Sequence, residues 1–168
     1  WTGQYPTVRA VVTSYNETWK WTGTNWVQLF PAHTPPATAL GRMAYDKSSG
    51  VMVLSNNDAE TWLWNGTDWQ QVFPDNPPFD PEGLYLANVD ATVVYDEVRQ
   101  EVVRFGGADS SNNIWLWSQN NWFNPGAPIA HGESVGVDDS AYYRDFQMCY
   151  DPDANLILLT GGTCRALV

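Results

Sequence analysis

A tryptophan pattern returns three times along this chain of 168 residues. The stretches ETWKWTGTNWVQLF (17–30), ETWLWNGTDWQQVF (60–73) and NIWLWSQNNWF (113–123) each carry Trp-x-Trp and a further Trp five residues on. A second element follows each one: GRMAYDKSSGVMVLSNND (41–58), DATVVYDEVRQEVVRFGGAD (90–109) and RDFQMCYDPDANLILLTGGT (144–163). In all three an apolar run ends in Tyr-Asp (Tyr45-Asp46, Tyr95-Asp96, Tyr150-Asp151), and a small pair begins 11 residues after the Tyr (Asn56-Asn57, Gly106-Gly107, Gly161-Gly162). Gly accepts positive φ freely and Asn does so best among the rest, so Asn-Asn can replace Gly-Gly. A repeat of this period restricts the fold to units that bury their faces against copies of themselves.

Each unit reads as four short strands: the Trp-x-Trp run, the strand after its turn, the Tyr-Asp strand, and the strand before the small pair. Thr, Val, Tyr and Trp enrichment with tight turns favours strand throughout, and no segment reads as a helix. The expected organisation is one all-β repeat domain over 1–168, with units at about 15–58, 59–109 and 110–163. The segment 7–19, TVRAVVTSYNETW, looks like an extra N-terminal strand running into the first Trp element. The longer connections PAHTPPATAL (31–40), PDNPPFDPEGLYLAN (74–88) and NPGAPIAHGESVGVDDSAY (124–142) are rich in Pro, Gly and polar residues and differ in length. Such loops lie at surfaces and can carry function.

These motifs resemble kelch-type repeats, as in propellers like the galactose-oxidase central domain. The carriers are Arg42-Met43-Ala44-Tyr45-Asp46, the double glycine after Phe105, and TWLWNGTDW in the place of the family's Trp-x-Trp-Asp-Gly. The resemblance covers about residues 8–163 and implies four-stranded β-propeller blades. It departs from the family where the first unit lacks the double glycine. Three units cannot close a ring, since propellers have about 4–8 blades. The expectation is therefore a partial propeller or half-ring, whose open strand edges template association.

Charge narrows the partners. The formal net charge is −11, from 19 acidic and 8 basic residues, which opposes binding to nucleic-acid phosphates. With only Lys20 and Lys47 as lysines there is no basic patch for a membrane surface or heparin. No apolar run approaches the ~18 residues of a membrane span. The start at Trp1, with no signal peptide, is expected of a processed mature chain or a fragment. Two sequons, at Asn16 and Asn65, lean toward an extracellular, glycosylated protein.

Each candidate site has a structural alternative. Trp19 with Trp21, Trp62 with Trp64 and Trp115 with Trp117 fall pairwise on one strand face and suit a core between blades. Trp26, Trp69 and Trp122, on the returning strand, stand as the exposed candidates for stacking on sugars. Asp46, Asp96 and Asp151 recur in every unit, as turn-capping residues would. Asp151, Asp153 and Asn155 open like a calcium loop, but Leu156 and Gly162 stand where such a loop needs Gly and Glu. Asp138, Asp139 and Asp145 read as solvated surface.

His33 and His131 fall in different units, away from any copper-oxidase constellation. No nucleophile elbow, phosphate loop or zinc motif occurs. A Cys149–Cys164 disulfide requires the tail to fold back, and two free thiols are the alternative. No cofactor is expected.

The preferred function is a non-enzymatic extracellular structural or protein-interaction module, with a protein partner or self-association completing a ring or array. A carbohydrate-binding, lectin-like propeller is one alternative. A fragment of a propeller enzyme, such as a galactose-oxidase-like oxidase, is another.

Overall fold

The tight turns of the repeat explain its strands. In a computed structural model the described residues are 13–37, 41–56, 60–78, 91–106, 114–126 and 142–165, the last with backbone alone at 142–145 and 162–165. They form twelve strands and no helix: β1 Thr18–Trp21, β2 Trp26–Leu29, β3 Arg42–Asp46, β4 Val51–Ser55, β5 Thr61–Trp64, β6 Trp69–Val72, β7 Thr92–Asp96, β8 Glu101–Phe105, β9 Ile114–Ser118, β10 Asn121–Phe123, β11 Tyr142–Asp151 and β12 Leu156–Arg165. The protein is all-β, as its sequence implies. Of the segment 7–19, expected to hold an extra N-terminal strand, residues 7–12 lie outside the described residues, and 13–17 lead into β1 without strand pairing.

Each Tyr-Asp hairpin closes on a turn whose geometry repeats. Asp46 Oδ1 accepts hydrogen bonds from the Ser48 and Ser49 N–H groups, and both serine hydroxyls also donate to its carboxylate. Asp96 Oδ1 accepts from the N–H groups of Val98 and Arg99, and Asp151 Oδ1 from those of Asp153 and Ala154. The last turn residue takes positive φ in all three: Gly50 (73°), Gln100 (59°) and Asn155 (55°). A side-chain oxygen caps each turn while one left-handed residue reverses the chain.

The Trp hairpins place two indoles directly opposite each other. Trp21 pairs with Trp26, Trp64 with Trp69, and Trp117 with Trp122. Ring centroids lie 5.4, 5.4 and 5.3 Å apart, within the range of favourable aromatic pairs. The third hairpin turns on Gln119 and Asn120, both at positive φ, which is the two-residue turn that suits twisted strands.

Four antiparallel sheets result: β1-β2, β3-β4-β5-β6, β10-β9-β8-β7 and β11-β12. The complete sheets therefore run from Arg42 to Val72 and from Thr92 to Phe123. Each joins the Tyr-Asp hairpin of one sequence unit to the Trp hairpin of the next. Among the described residues, the first two-stranded sheet holds a Trp hairpin alone and the last a Tyr-Asp hairpin alone. These sheets are consistent with partial propeller blades and do not close a ring.

Neighbouring sheets meet chiefly through β3, β7 and β11. Ala44 and Val53 of the first complete sheet pack in one cluster with Val102, Trp117 and Trp122 of the second. Phe105 meets Phe146 edge-on at 5.0 Å, joining the second sheet to the C-terminal hairpin. Polar clasps span the same seam as the cluster: Arg42 Nε donates to the Ala91 carbonyl at 2.9 Å, and Lys47 Nζ lies 3.2 Å from Glu97 Oε2.

Candidate functional site

The seams between sheets reuse one construction. Trp122 Nε1 donates to Thr61 Oγ1, and Trp69 Nε1 donates to Thr18 Oγ1, each at 2.9 Å. In both, the Trp of a returning strand reaches the Thr that precedes Trp-x-Trp in the sheet before it. A second bond runs alongside. The backbone N–H of His33 donates to Asp68 Oδ1 at 2.9 Å, and that of Asn76 donates to Asn121 Oδ1 at 3.2 Å. Asp68 and Asn121 each stand just before the returning Trp, and Asn25 holds the same place in the first hairpin.

This construction corrects two expected exposures. Trp69 and Trp122 retain only 7% and 1% exposure, so neither offers a face to a sugar. Their rings are covered because a buried indole meets both an apolar neighbour and an acceptor for its N–H. Trp26 is 58% exposed, and Trp19 and Trp21 are also open, at 47% and 51%. The core expected of the Trp-x-Trp pairs is thus absent at Trp19 and Trp21, which no sheet among the described residues covers; of their counterparts, Trp62 and Trp117 are buried and Trp64 and Trp115 are half-buried.

One seam widens into a cleft of about 440 Å³, lined by His33, Trp62, Asn65, Asp68, Trp69, Gln70 and Gln71. His33 Nδ1 hydrogen bonds with Asp68 Oδ2 at 2.8 Å. That bond holds the Asp68 carboxyl below its ordinary value of 3.8, with the His33 backbone N–H adding to the effect. Asn65 is exposed at the rim, and its Oδ1 caps the turn by accepting from Thr67 and Asp68 N–H groups. A second hollow of about 240 Å³ lies between the N-terminal hairpin and the first complete sheet, and is lined in part by Tyr15, Trp19, Pro35, Met43, Leu54 and Trp69. Asn16 borders it, with Nδ2 donating to Thr34 Oγ1 at 3.0 Å.

The remaining sequence candidates do not converge. His131, Asp138 and Asp139 lie outside the described residues. Asp151 is engaged by its own turn, and Asn155 Oδ1 accepts from the Tyr150 hydroxyl at 3.2 Å. Among the described residues no group of three or more His, Cys, Asp and Glu is placed to hold a metal ion. Cys149 is an exposed free thiol opposite Leu158, while Cys164 lies opposite Tyr143. Six residues of strand separate the two cysteines, roughly 20 Å, and a disulfide needs Cα atoms within about 7 Å. The Cys149–Cys164 bridge is thus excluded by the hairpin register. No helix among the described residues is long and apolar enough to cross a membrane.

The Thr18 and Thr61 acceptors, the His33–Asp68 contact and the residue before each returning Trp were not singled out from sequence. The signal was present in the repeated ETW and in the Asn or Asp at the same offset. Comparison with known proteins finds no matching family model, no matching curated protein and no matching solved structure.

Proposed function

We propose that this chain is a kelch-like propeller segment acting as a non-enzymatic, extracellular structural or protein-interaction module. The observation that carries this reading is the contrast between buried and open tryptophans. Recurring Asp residues cap turns and Trp69 and Trp122 lock seams, so the residues that looked chemical serve construction. Trp19, Trp21 and Trp26 form an exposed aromatic surface on a sheet that has two strands among the described residues, and such surfaces mark interaction sites. The sequons at Asn16 and Asn65, both on exposed positions, support the extracellular setting.

The test is a binding comparison between the native chain and a Trp19→Ser, Trp21→Ser, Trp26→Ser variant. Association of the native chain, with itself or with a protein partner, should fall at least tenfold in the variant while the circular dichroism spectrum is kept. Turnover of a defined substrate by the purified chain would contradict the reading.

A carbohydrate-binding role has one specific observation in its favour. The His33–Asp68 cleft combines indole edges with Asn65, Asp68 and Gln70, donors and acceptors that suit sugar hydroxyls. Glycan binding that disappears in both His33→Ala and Gln70→Ala would support it. An empty glycan array would remove it.

A further inference from the structure

We propose that Asn65 is a site of spontaneous covalent modification, where the side-chain amide is lost to attack by the Gly66 nitrogen and the His33–Asp68 clasp loosens as a result. The inference stands apart from the interaction-module reading.

Asn-Gly occurs once in the 168 residues, and every other Asn precedes a residue with a side chain. The pair forms the tip of the second Trp hairpin. The sister tips carry Thr22-Gly23 and Ser118-Gln119, neither of which sets an Asn carboxamide beside a glycine nitrogen. Without a Cβ, glycine leaves its own nitrogen open to close approach. Gly66 stands at φ 100°, nothing lies within 4 Å of where its Cβ would be, and its N–H has no acceptor among the described residues. Solvent therefore reaches the nitrogen that must lose a proton before it attacks.

The carbonyl under attack is polarised. Asn65 Oδ1 accepts from the Thr67 N–H and hydroxyl, each at 2.9 Å, and from the Asp68 N–H at 3.0 Å. Donors aimed at a carbonyl oxygen stabilise the negative charge that gathers there when a nucleophile adds to the carbon. Asn65 Nδ2, the leaving group, has no partner among the described residues and departs without breaking a bond to the protein.

Water is the only co-reactant. The Gly66 nitrogen loses its proton and bonds to Asn65 Cγ, the Cγ–Nδ2 bond breaks, and ammonia leaves. The cyclic imide then takes up water. Opening at Cγ gives aspartate. Opening at the main-chain carbonyl gives isoaspartate, in which the chain runs through Cβ and Cγ. No group is oxidised or reduced.

Isoaspartate lengthens the tip by one carbon and carries the capping oxygen into the main chain. That oxygen holds the Asp68 N–H, and the Asn65 N–H closes the tip on the Asp68 carbonyl at 3.2 Å. Asp68 is in turn the residue that His33 grips, through its backbone N–H at 2.9 Å and Nδ1 at 2.8 Å. The change thus reaches the wall of the cleft. A glycan on the Asn65 sequon would occupy the same Nδ2, so the two fates exclude each other.

The test uses the unglycosylated chain at mildly alkaline pH. The peptide holding Asn65 should gain the one mass unit of amide-to-acid exchange, faster as pH rises, and part of the product should accept methyl groups from an isoaspartyl methyltransferase. The rate in the folded chain should stay within a few-fold of that in guanidinium chloride, because the tip leaves Gly66 exposed. Asn65→Ser, which puts at this tip the residue found in the third hairpin, should hold its mass. In the isoaspartate form the Asp68 carboxyl should titrate nearer its ordinary value of 3.8 by carbon NMR.

A folded chain that reacts at least tenfold more slowly than the unfolded one would overturn the site, since the turn would then protect Asn65. So would an equal mass gain in Asn65→Ser, which would place the change at Gln70 or Gln71. An unmoved Asp68 in the isoaspartate form would overturn the link to the clasp.

Discussion

The hairpins at 18–29 and 61–72 share a motif and a geometry but not an environment. Trp21–Trp26 and Trp64–Trp69 have the same 5.4 Å separation, with interplanar angles of 51° and 50°. Yet Trp26 is 58% exposed and Trp69 is 7% exposed. Local sequence sets how the two indoles face each other across the strands. Burial is set by the sheet that lies against them. Thr18 accepts a bond from Trp69, while the first hairpin has no corresponding sheet before it among the described residues.

The largest expected consequence separates buried from open tryptophan. Trp122→Ala should cost about 3–5 kcal/mol in urea unfolding, the range for truncating a buried aromatic. Trp26→Ala, measured at a concentration where the chain is monomeric, should cost under ~1 kcal/mol, as exposed sites do. Equal losses would erase the distinction between the hairpins.

A smaller effect sharpens it. Thr61→Val keeps the shape but strands the Trp122 N–H in a buried seam, at a cost of about 1–3 kcal/mol. Thr18→Val should cost less, because the Thr18–Trp69 bond is only partly buried. An opposite ranking would mean that the hydroxyls do not act through the seam.

The turn aspartates offer a comparison by pH. Burial raises the Asp96 carboxyl, but hydrogen bonds from the Arg99 backbone, the Arg99 side chain and the Val98 N–H outweigh it and hold the group below 3.8. A carboxyl lowered in the folded state adds stability above its unfolded value, and this is lost as pH falls through the folded one. Asp96→Asn should therefore flatten the decline in unfolding free energy below pH 3.8. An unchanged acid limb would place the acid sensitivity elsewhere.

The smallest effect concerns the cleft. His33→Ala removes the side-chain bond that lowers Asp68, so the Asp68 carboxyl should titrate closer to its ordinary value by carbon NMR. No movement would show that the His33 side chain and Asp68 do not meet in solution.

Much of the fold was legible because turns and strands are local. Tyr-Asp, four turn residues and an apolar run specify each inner hairpin without help from elsewhere. Periodicity fixes the length of a repeat but not where a unit begins. The sequence units at 15–58, 59–109 and 110–163 therefore ran across the hydrogen-bonded sheets. The burial of Trp69 and Trp122 was not legible because their neighbours lie 51 and 61 residues away. The fate of the two cysteines turned on whether the tail folds back; β12 instead runs on to Arg165, which leaves Cys164 opposite Tyr143 and Cys149 opposite Leu158.

The central claim is that the second and third Trp hairpins each belong to the same sheet as the Tyr-Asp hairpin before them. Cross-strand nuclear Overhauser contacts read this directly. The expected pattern links Val53 with Leu63 and Val103 with Leu116, with no ladder between residues 26–29 and 42–46. A ladder between those last two strands, with the β4–β5 contacts missing, would contradict the account.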